Sequence, residues 1–293
     1  MADLNGTSRA MQATRRQPLF TMSADRGWEQ RFGMAKQDVV EGFVLWRLSW
    51  ALGVADIRLR YRGSILGPFW LTLSTAVMIG SMGILYADLF HMDIHTYLPY
   101  LGVSLILWNF LGSLVLDAGS CFTGAEGLIK GTRMPFTVHA LRSVVRDTIV
   151  FAHNVVVIFL LVVLLHVPVS LYSLLAIPGL LLWLIDGFAL AFLFGAFCSR
   201  FRDVPQIIGS VMQIAFFITP VMWKTNALGS HPGAELLIRL NPFYYLLEVV
   251  RGPLLGEDVT IGMVAKALVV SAVLILVSAL AFARTRGRLA YWM

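Results

Sequence analysis

Six stretches of about twenty residues, nearly free of charge, govern what this chain can fold into. They lie at about 66–87, 97–116, 148–167, 172–197, 204–223 and 261–283. Twenty residues of α-helix span about 30 Å, the thickness of a bilayer's hydrocarbon core. In lipid every backbone polar group needs an internal partner, so only helices and closed barrels cross. The runs are continuously apolar and do not alternate, which selects helices. The expected fold class is an all-α membrane protein with six transmembrane helices. Composition agrees: charged residues make up 14% of the chain, against roughly 25% in a soluble domain. Such a chain cannot supply a charged shell, so lipid must cover much of its surface.

The loops set the orientation. Residues 1–65 hold ten Arg or Lys, whereas the loop 88–96 has Asp88 and Asp93 and no Arg or Lys. Lys130, Arg133, Arg142 and Arg146 follow in the next loop, then the uncharged 168–171, then Arg200 and Arg202. The tail closes with Arg284, Arg286 and Arg288. Basic and non-basic loops alternate at each crossing, which the positive-inside rule reads as both termini cytoplasmic. The same bias accounts for the net charge of +6 without nucleic acid. The first 36 residues contain no apolar core for a cleaved signal peptide.

Between these landmarks the chain divides into three parts. Residues 1–35 read as a flexible cytoplasmic tail. In 36–62, Val39, Phe43, Trp46, Trp50, Val54, Ile57 and Tyr61 recur every three or four residues, one face of a helix. Glu41 and Arg47 would each cost about 2.5–3.5 kcal/mol at mid-membrane, so this helix is expected to lie amphipathically in the interface. The remainder, 63–293, forms the transmembrane domain. Within it, 224–260 is too long for a hairpin and too apolar for water. Broken at Asn241-Pro242, it is expected to form two short helices re-entering the membrane from the periplasmic side before the last span.

Catalytic motifs are missing. The segment Gly127-Leu128-Ile129-Lys130-Gly131-Thr132 lacks the glycine offset of a phosphate-binding loop and follows no strand. If ATP drives this protein, another chain binds it, and no cofactor or metal is expected here. Cys121 and Cys198 form no CxxC pair. His91 and His95 flank Asp93 in a short loop expected to be solvated. Asp186, His153 and Asn154 lie inside spans. They are expected to bond to each other or to neighbouring helices, with a proton relay as the alternative. Lys266, a turn or two inside the last span from its outer start, can snorkel outward. Aromatic residues gather toward the outer side: Tyr86, Phe90, Tyr97, Tyr100 and Trp108; Phe216, Phe217 and Trp223; Phe243, Tyr244 and Tyr245. They suit an aromatic belt, or a pathway for sugars, whose apolar C–H faces stack on rings while the hydroxyls stay hydrated.

Four motifs, in order along roughly 40–285, carry a family resemblance. Arg60-Tyr61-Arg62-Gly63-Ser64-Ile65-Leu66-Gly67-Pro68-Phe69-Trp70 resembles the approach to the first span of ABC-2 type permeases that export O-antigen and capsular polysaccharides. Leu128-Ile129-Lys130 with Met134-Pro135-Phe136 resembles their first cytoplasmic loop. Arg200-Phe201-Arg202-Asp203-Val204-Pro205 and Phe216-Phe217-Ile218-Thr219-Pro220-Val221-Met222-Trp223 are similar to their fifth-span region. Asn241-Pro242-Phe243-Tyr244-Tyr245 and Arg251-Gly252-Pro253 are similar to their outer re-entrant segment. The resemblance implies a homodimer in the bacterial inner membrane, with a central channel lined by the first and fifth spans. Two copies of a separate ABC ATPase, holding ATP and Mg, would sit beneath it. A glycan on an undecaprenyl-type lipid would move outward. Helices near 120–135 and 198–204 would dock on the ATPase, which nominates Glu126, Leu128, Ile129, Lys130, Arg133, Pro135, Arg200, Arg202 and Asp203 for coupling. The interfacial helix, with Trp46, Trp50, Arg58, Arg60 and Arg62, would surround the cytoplasmic entrance. The rivals are an ABC-2 permease for teichoic acid, another lipid or a drug, and a membrane transferase or flippase without an ATPase.

Overall fold

The structure, a computed structural model, describes residues 27–89, 91–167, 170–225 and 232–293. All regular elements among them are helical. In chain order these are α1 (Trp28–Val44), α2 (Trp46–Arg60), α3 (Phe69–Leu89), α4 (Ile94–Ser120), α5 (Glu126–Gly131), α6 (Phe136–Leu164), α7 (Ala176–Arg200), α8 (Val204–Ile218), α9 (Pro232–Leu240), α10 (Pro242–Leu255) and α11 (Ile261–Trp292). Short 3₁₀ turns, Thr123–Ala125 and Leu171–Leu175, precede α5 and α7.

Five helices are long and apolar enough to cross a bilayer: α3, α4, α6, α7 with its preceding turn, and α11. The sixth, expected over 204–223, is shorter. Helix α8 has 15 residues, about 22 Å. Pro220 disfavours helical geometry in the residue before it, and Thr219 accordingly turns extended at φ −79°, ψ 136°. Helix α6 differs in the other direction and begins at Phe136 rather than 148. Arg142, Arg146 and Asp147 made its first turns look like loop. In the fold these charges are paired: Arg142 grips Asp56 of α2 through two bonds of 2.7 and 2.5 Å. Arg146 reaches Asp117 of α4 at 2.6 Å.

Helix α4 is the centre of the molecule. It is buried along most of its length, with α3, α6, α7, α8 and α10 packed around it. Its start is capped by Asp93, whose carboxylate accepts from the Thr96 N–H at 3.1 Å.

The expected helix over 36–62 is two helices. It starts at Trp28, inside the segment assigned to the tail, and breaks at Leu45. The buried face of α1 and α2 carries Ala35, Asp38, Gly42, Ser49, Gly53 and Ile57, all but Ile57 small or polar, at helical spacing. The exposed face carries Trp28, Phe43, Trp46 and Trp50. Small residues are there because both helices lie against α6: a Cβ on Gly42 would overlap Thr137, and one on Gly53 would stand 2.8 Å from Val145. Asp38, 1% exposed, binds three elements together. Its carboxylate accepts from the N–H groups of Phe136 and Thr137 at 3.3 and 3.0 Å, orphan donors of the first turn of α6. It also accepts from Arg286 of α11 at 2.9 Å.

The end holding α5 and the Arg200–Asp203 turn, with Lys130, Arg133, Arg200 and Arg202, is the basic end. The opposite end holds α9 and α10, which meet at Asn241 as expected. The Asn241 side chain caps α10 by accepting from the Phe243 N–H at 3.0 Å, with Pro242 in the first turn.

Candidate functional site

Two polar stripes meet in a groove between α4 and α8. On α4, Asn109, Ser113 and Asp117 are spaced four apart and share one face. On α8, Gly209 and Gln213 do the same, and Phe216 and Phe217 follow one turn on. Together with Arg60 from the end of α2 they line a groove of about 650 Å³. Asn109 and Gln213 are exposed within the apolar stretches of their helices. Amides and hydroxyls at such a depth need water or a partner. The α4 and α8 backbones bring the groove together, and sequence reasoning missed Asn109, Ser113 and Gln213. Their four-residue spacing was visible, but it lay inside runs scored only for being apolar.

At one end of the groove the aromatics form a contiguous cluster. Trp108 lies 5.8 Å from Phe216 and 5.7 Å from Phe243, ring to ring, and Phe216 lies 5.4 Å from Phe217. The Trp223 indole N–H donates to the Phe217 carbonyl at 3.4 Å. Phe217 is 66% exposed. The other pathway candidates divide. Tyr97 is fully buried and its hydroxyl donates to the Met222 carbonyl at 2.7 Å. Tyr245 is buried, donates to the Arg239 carbonyl at 2.8 Å and accepts from Lys266 at 3.0 Å. Both hydroxyls are engaged within the fold, and Lys266 is exposed with its amine on the Tyr245 hydroxyl. Tyr244 is half-buried against Tyr245, and Tyr86 is half-buried on α3. Phe90 lies outside the described residues.

Beside this cluster the chain from Thr219 to Trp223 runs without helix, and a buried polar network serves its carbonyls. Arg251 of α10, 1% exposed, donates to the Pro220 carbonyl at 2.5 Å, the Tyr100 hydroxyl at 2.9 Å and the Ser104 hydroxyl at 3.0 Å. Its other nitrogen meets Glu248 at 2.5 Å. The Tyr100 hydroxyl stands 2.9 Å from both the Pro220 and the Trp223 carbonyls and can donate to either. The Asn241 amide donates to the Thr219 hydroxyl at 2.8 Å. A glutamate and an arginine three apart in an apolar stretch were the available signal for this pair. The spacing could not show that both point inward.

At the basic end the coupling candidates are grouped. Glu126 and Lys130 pair at 2.5 Å. That bond and the lysine's charge hold the Glu126 carboxyl below the ordinary glutamate range, and Arg202 pulls the same way. The turn before α5 packs on the end of α7, where Gly195 meets Phe122, so the α5 segment and the 200–203 turn share one end of the molecule. Leu128, Arg133, Arg200, Arg202 and Asp203 are exposed on it, while Ile129 and Pro135 are half-buried. Of the entrance residues, Trp46, Trp50, Arg58, Arg60 and Arg62 are all exposed, and Arg60 is the one in the groove lining. Asp186 accepts from Ser271 of α11 at 2.7 Å. The His153 ring bonds to the Ile149 carbonyl of its own helix, so Asp186 and His153 are engaged separately.

Residues 47–255, from α2 through α10, match the ABC-2 type transporter family. The chain belongs to that family. Members are the membrane subunits of transporters and in general pair with an ABC ATPase, and this chain is a multi-pass membrane protein. It is similar to the O-antigen export system permease protein RfbA of Myxococcus xanthus, with 23% identity over 192 residues, 66% of this chain and 74% of that one. It is also similar to the protein of the same name from Klebsiella pneumoniae, with 21% identity over 174 residues, 59% of this chain and 67% of that one. The ABC-2 match takes in the groove, the Arg251 network and the basic surface. Helices α1 and α11, joined through Asp38 and Arg286, flank it.

Proposed function

We propose that this chain is the permease subunit of an ABC transporter that exports a lipid-linked polysaccharide across the bacterial inner membrane. ATP hydrolysis, with its Mg, would take place on a separate subunit. The groove carries the reading. It presents amides and hydroxyls that suit sugar hydroxyls, and it ends in rings that suit sugar C–H faces. The naming of its relatives as O-antigen export permeases points the same way.

Two copies of the chain would face each other across this groove and close a channel. Trp108, Phe216, Phe217, Phe243 and Trp223 would form the outer part of the path, with Arg60 at its cytoplasmic entrance. Two ATPase subunits would dock on the surface of Glu126, Lys130, Arg200 and Arg202. In this arrangement both termini are cytoplasmic and there are six crossings. Helix α8, though short, completes the fifth crossing by adding the extended Thr219–Trp223 segment. Non-helical backbone is tolerated at membrane depth only where protein satisfies it, which is what Arg251, Tyr100 and Tyr97 do. Helices α9 and α10 would form the re-entrant outer segment, and α1 with α2 would lie in the interface, their tryptophans toward lipid.

The test is deletion of the gene followed by staining for surface glycan and extraction of lipid-linked glycan. Loss of surface glycan with intracellular build-up of the lipid-linked form supports the proposal. Normal surface glycan with no internal build-up sinks it. A second reading, an ABC-2 permease for teichoic acid, another lipid or a drug, is favoured by the low identity to the curated relatives. Under that reading the glycan is unchanged, and the lipid or drug profile of the deletion strain shifts instead.

A further inference from the structure

Away from the translocation groove, a second cavity of about 750 Å³ lies where α1 crosses α6, α7 and α11. Its volume falls within the range of about 300–1,000 Å³ typical of ligand sites. Phenylalanines from three helices line it: Phe32 and Phe43 of α1, Phe188 and Phe192 of α7, and Phe282 of α11. Two polar side chains interrupt this lining. Lys36 of α1 is exposed and forms no ion pair with any described residue. Ser278 of α11 is 2% exposed, and its hydroxyl has no hydrogen-bond partner among the described residues. The nearby Arg286 is already engaged by Asp38.

A buried hydroxyl without a partner is costly, and an unpaired lysine beside an apolar cavity in a membrane protein faces lipid phosphates. A hydrocarbon chain alone would satisfy neither group. We propose that this cavity binds one anionic glycerophospholipid. Its phosphate pairs with Lys36, an ester carbonyl accepts from the Ser278 hydroxyl, and an acyl chain fills the phenylalanine-lined space. The bound lipid then completes the contact of α1 with α7 and α11, where direct protein packing leaves a gap. The inference requires only that α7 and α11 cross a bilayer. It is independent of what the transporter carries.

The test uses the full chain, purified in a non-ionic detergent, stripped of lipid and checked for wild-type elution. Phosphatidylglycerol or phosphatidylcholine with identical chains is added, and bound lipid is counted by native mass spectrometry. The wild type should hold one phosphatidylglycerol, about fivefold more tightly than phosphatidylcholine. Lys36→Gln should erase that preference. Diacyl lipid should outbind its ether-linked analogue in the wild type by about fivefold, and equally well or poorly in Ser278→Ala. Ala279→Trp and Ile275→Trp, which fill the cavity from separate positions, should each lose the lipid. Equal binding of the two headgroups by the wild type overturns the proposal, as does full binding by both tryptophan variants, which would mean only annular lipid. If the chain takes up lipid only after residues 1–26 are removed, that segment is the occupant and the proposal fails.

Discussion

Arg251 and Glu248 illustrate how much a buried pair can matter. Breaking such a pair by removing one partner typically costs about 3–5 kcal/mol, because the other charge stays buried and alone. Arg251→Ala also strips donors from Pro220, Tyr100 and Ser104. It should therefore lower the melting temperature in detergent sharply, with Arg251→Met/Glu248→Leu losing less than the single variant. A single variant that melts like the wild type would show that the network carries no stability. Asp38 has a comparable position at the basic end, since one carboxylate serves α6 and α11 from α1.

The elements are held by close approach rather than by large side chains. Gly42 and Gly53 allow α1 and α2 to lie on α6. Gly42→Leu should lift α1 off that surface while the long apolar helices remain inserted. Cysteine labelling at position 137 would detect this, with a rate that rises in the variant; an unchanged rate would place the contact elsewhere. Along the groove, Asn109→Leu with Gln213→Leu should slow export several-fold while co-purification with the ATPase persists. The triple change of Phe216, Phe217 and Tyr244 to alanine should act similarly. If either set prevents assembly, these residues pack the fold and do not line a path.

For the whole molecule the question is how the basic end communicates with the groove. Asp117 stands in the groove lining and also pairs with Arg146. Arg146 lies in the charge cluster that includes Asp56 and Arg142. A displacement of α2 or α6 at this cluster would therefore reach the groove through Asp117 of α4. Charge reversal at Lys130 or Arg202 should reduce transport-linked ATP hydrolysis with the complex intact. Undiminished coupling in both would remove this surface from the docking role.

Much of this architecture was legible in the residues because lipid imposes a simple rule: long apolar runs must become helices, and basic loops mark one side. The runs at 97–116 and 261–283 became α4 and α11, and the Asn241-Pro242 break became a helix boundary. Pro220 cut the run at 204–223 short, a local effect that hydropathy averaging passes over. The charged start of α6 looked like loop because a charge in a sequence carries no sign of its partner. Asp56 lies 86 positions from Arg142, and Ser104 lies 147 from Arg251. Periodicity and charge along one chain determined that this protein is a helical membrane protein with a basic side. Only the tertiary structure could decide which polar residues inside the helices satisfy one another and which, like Asn109 and Gln213, are left facing a groove, because that depends on what distant segments bring to the same place.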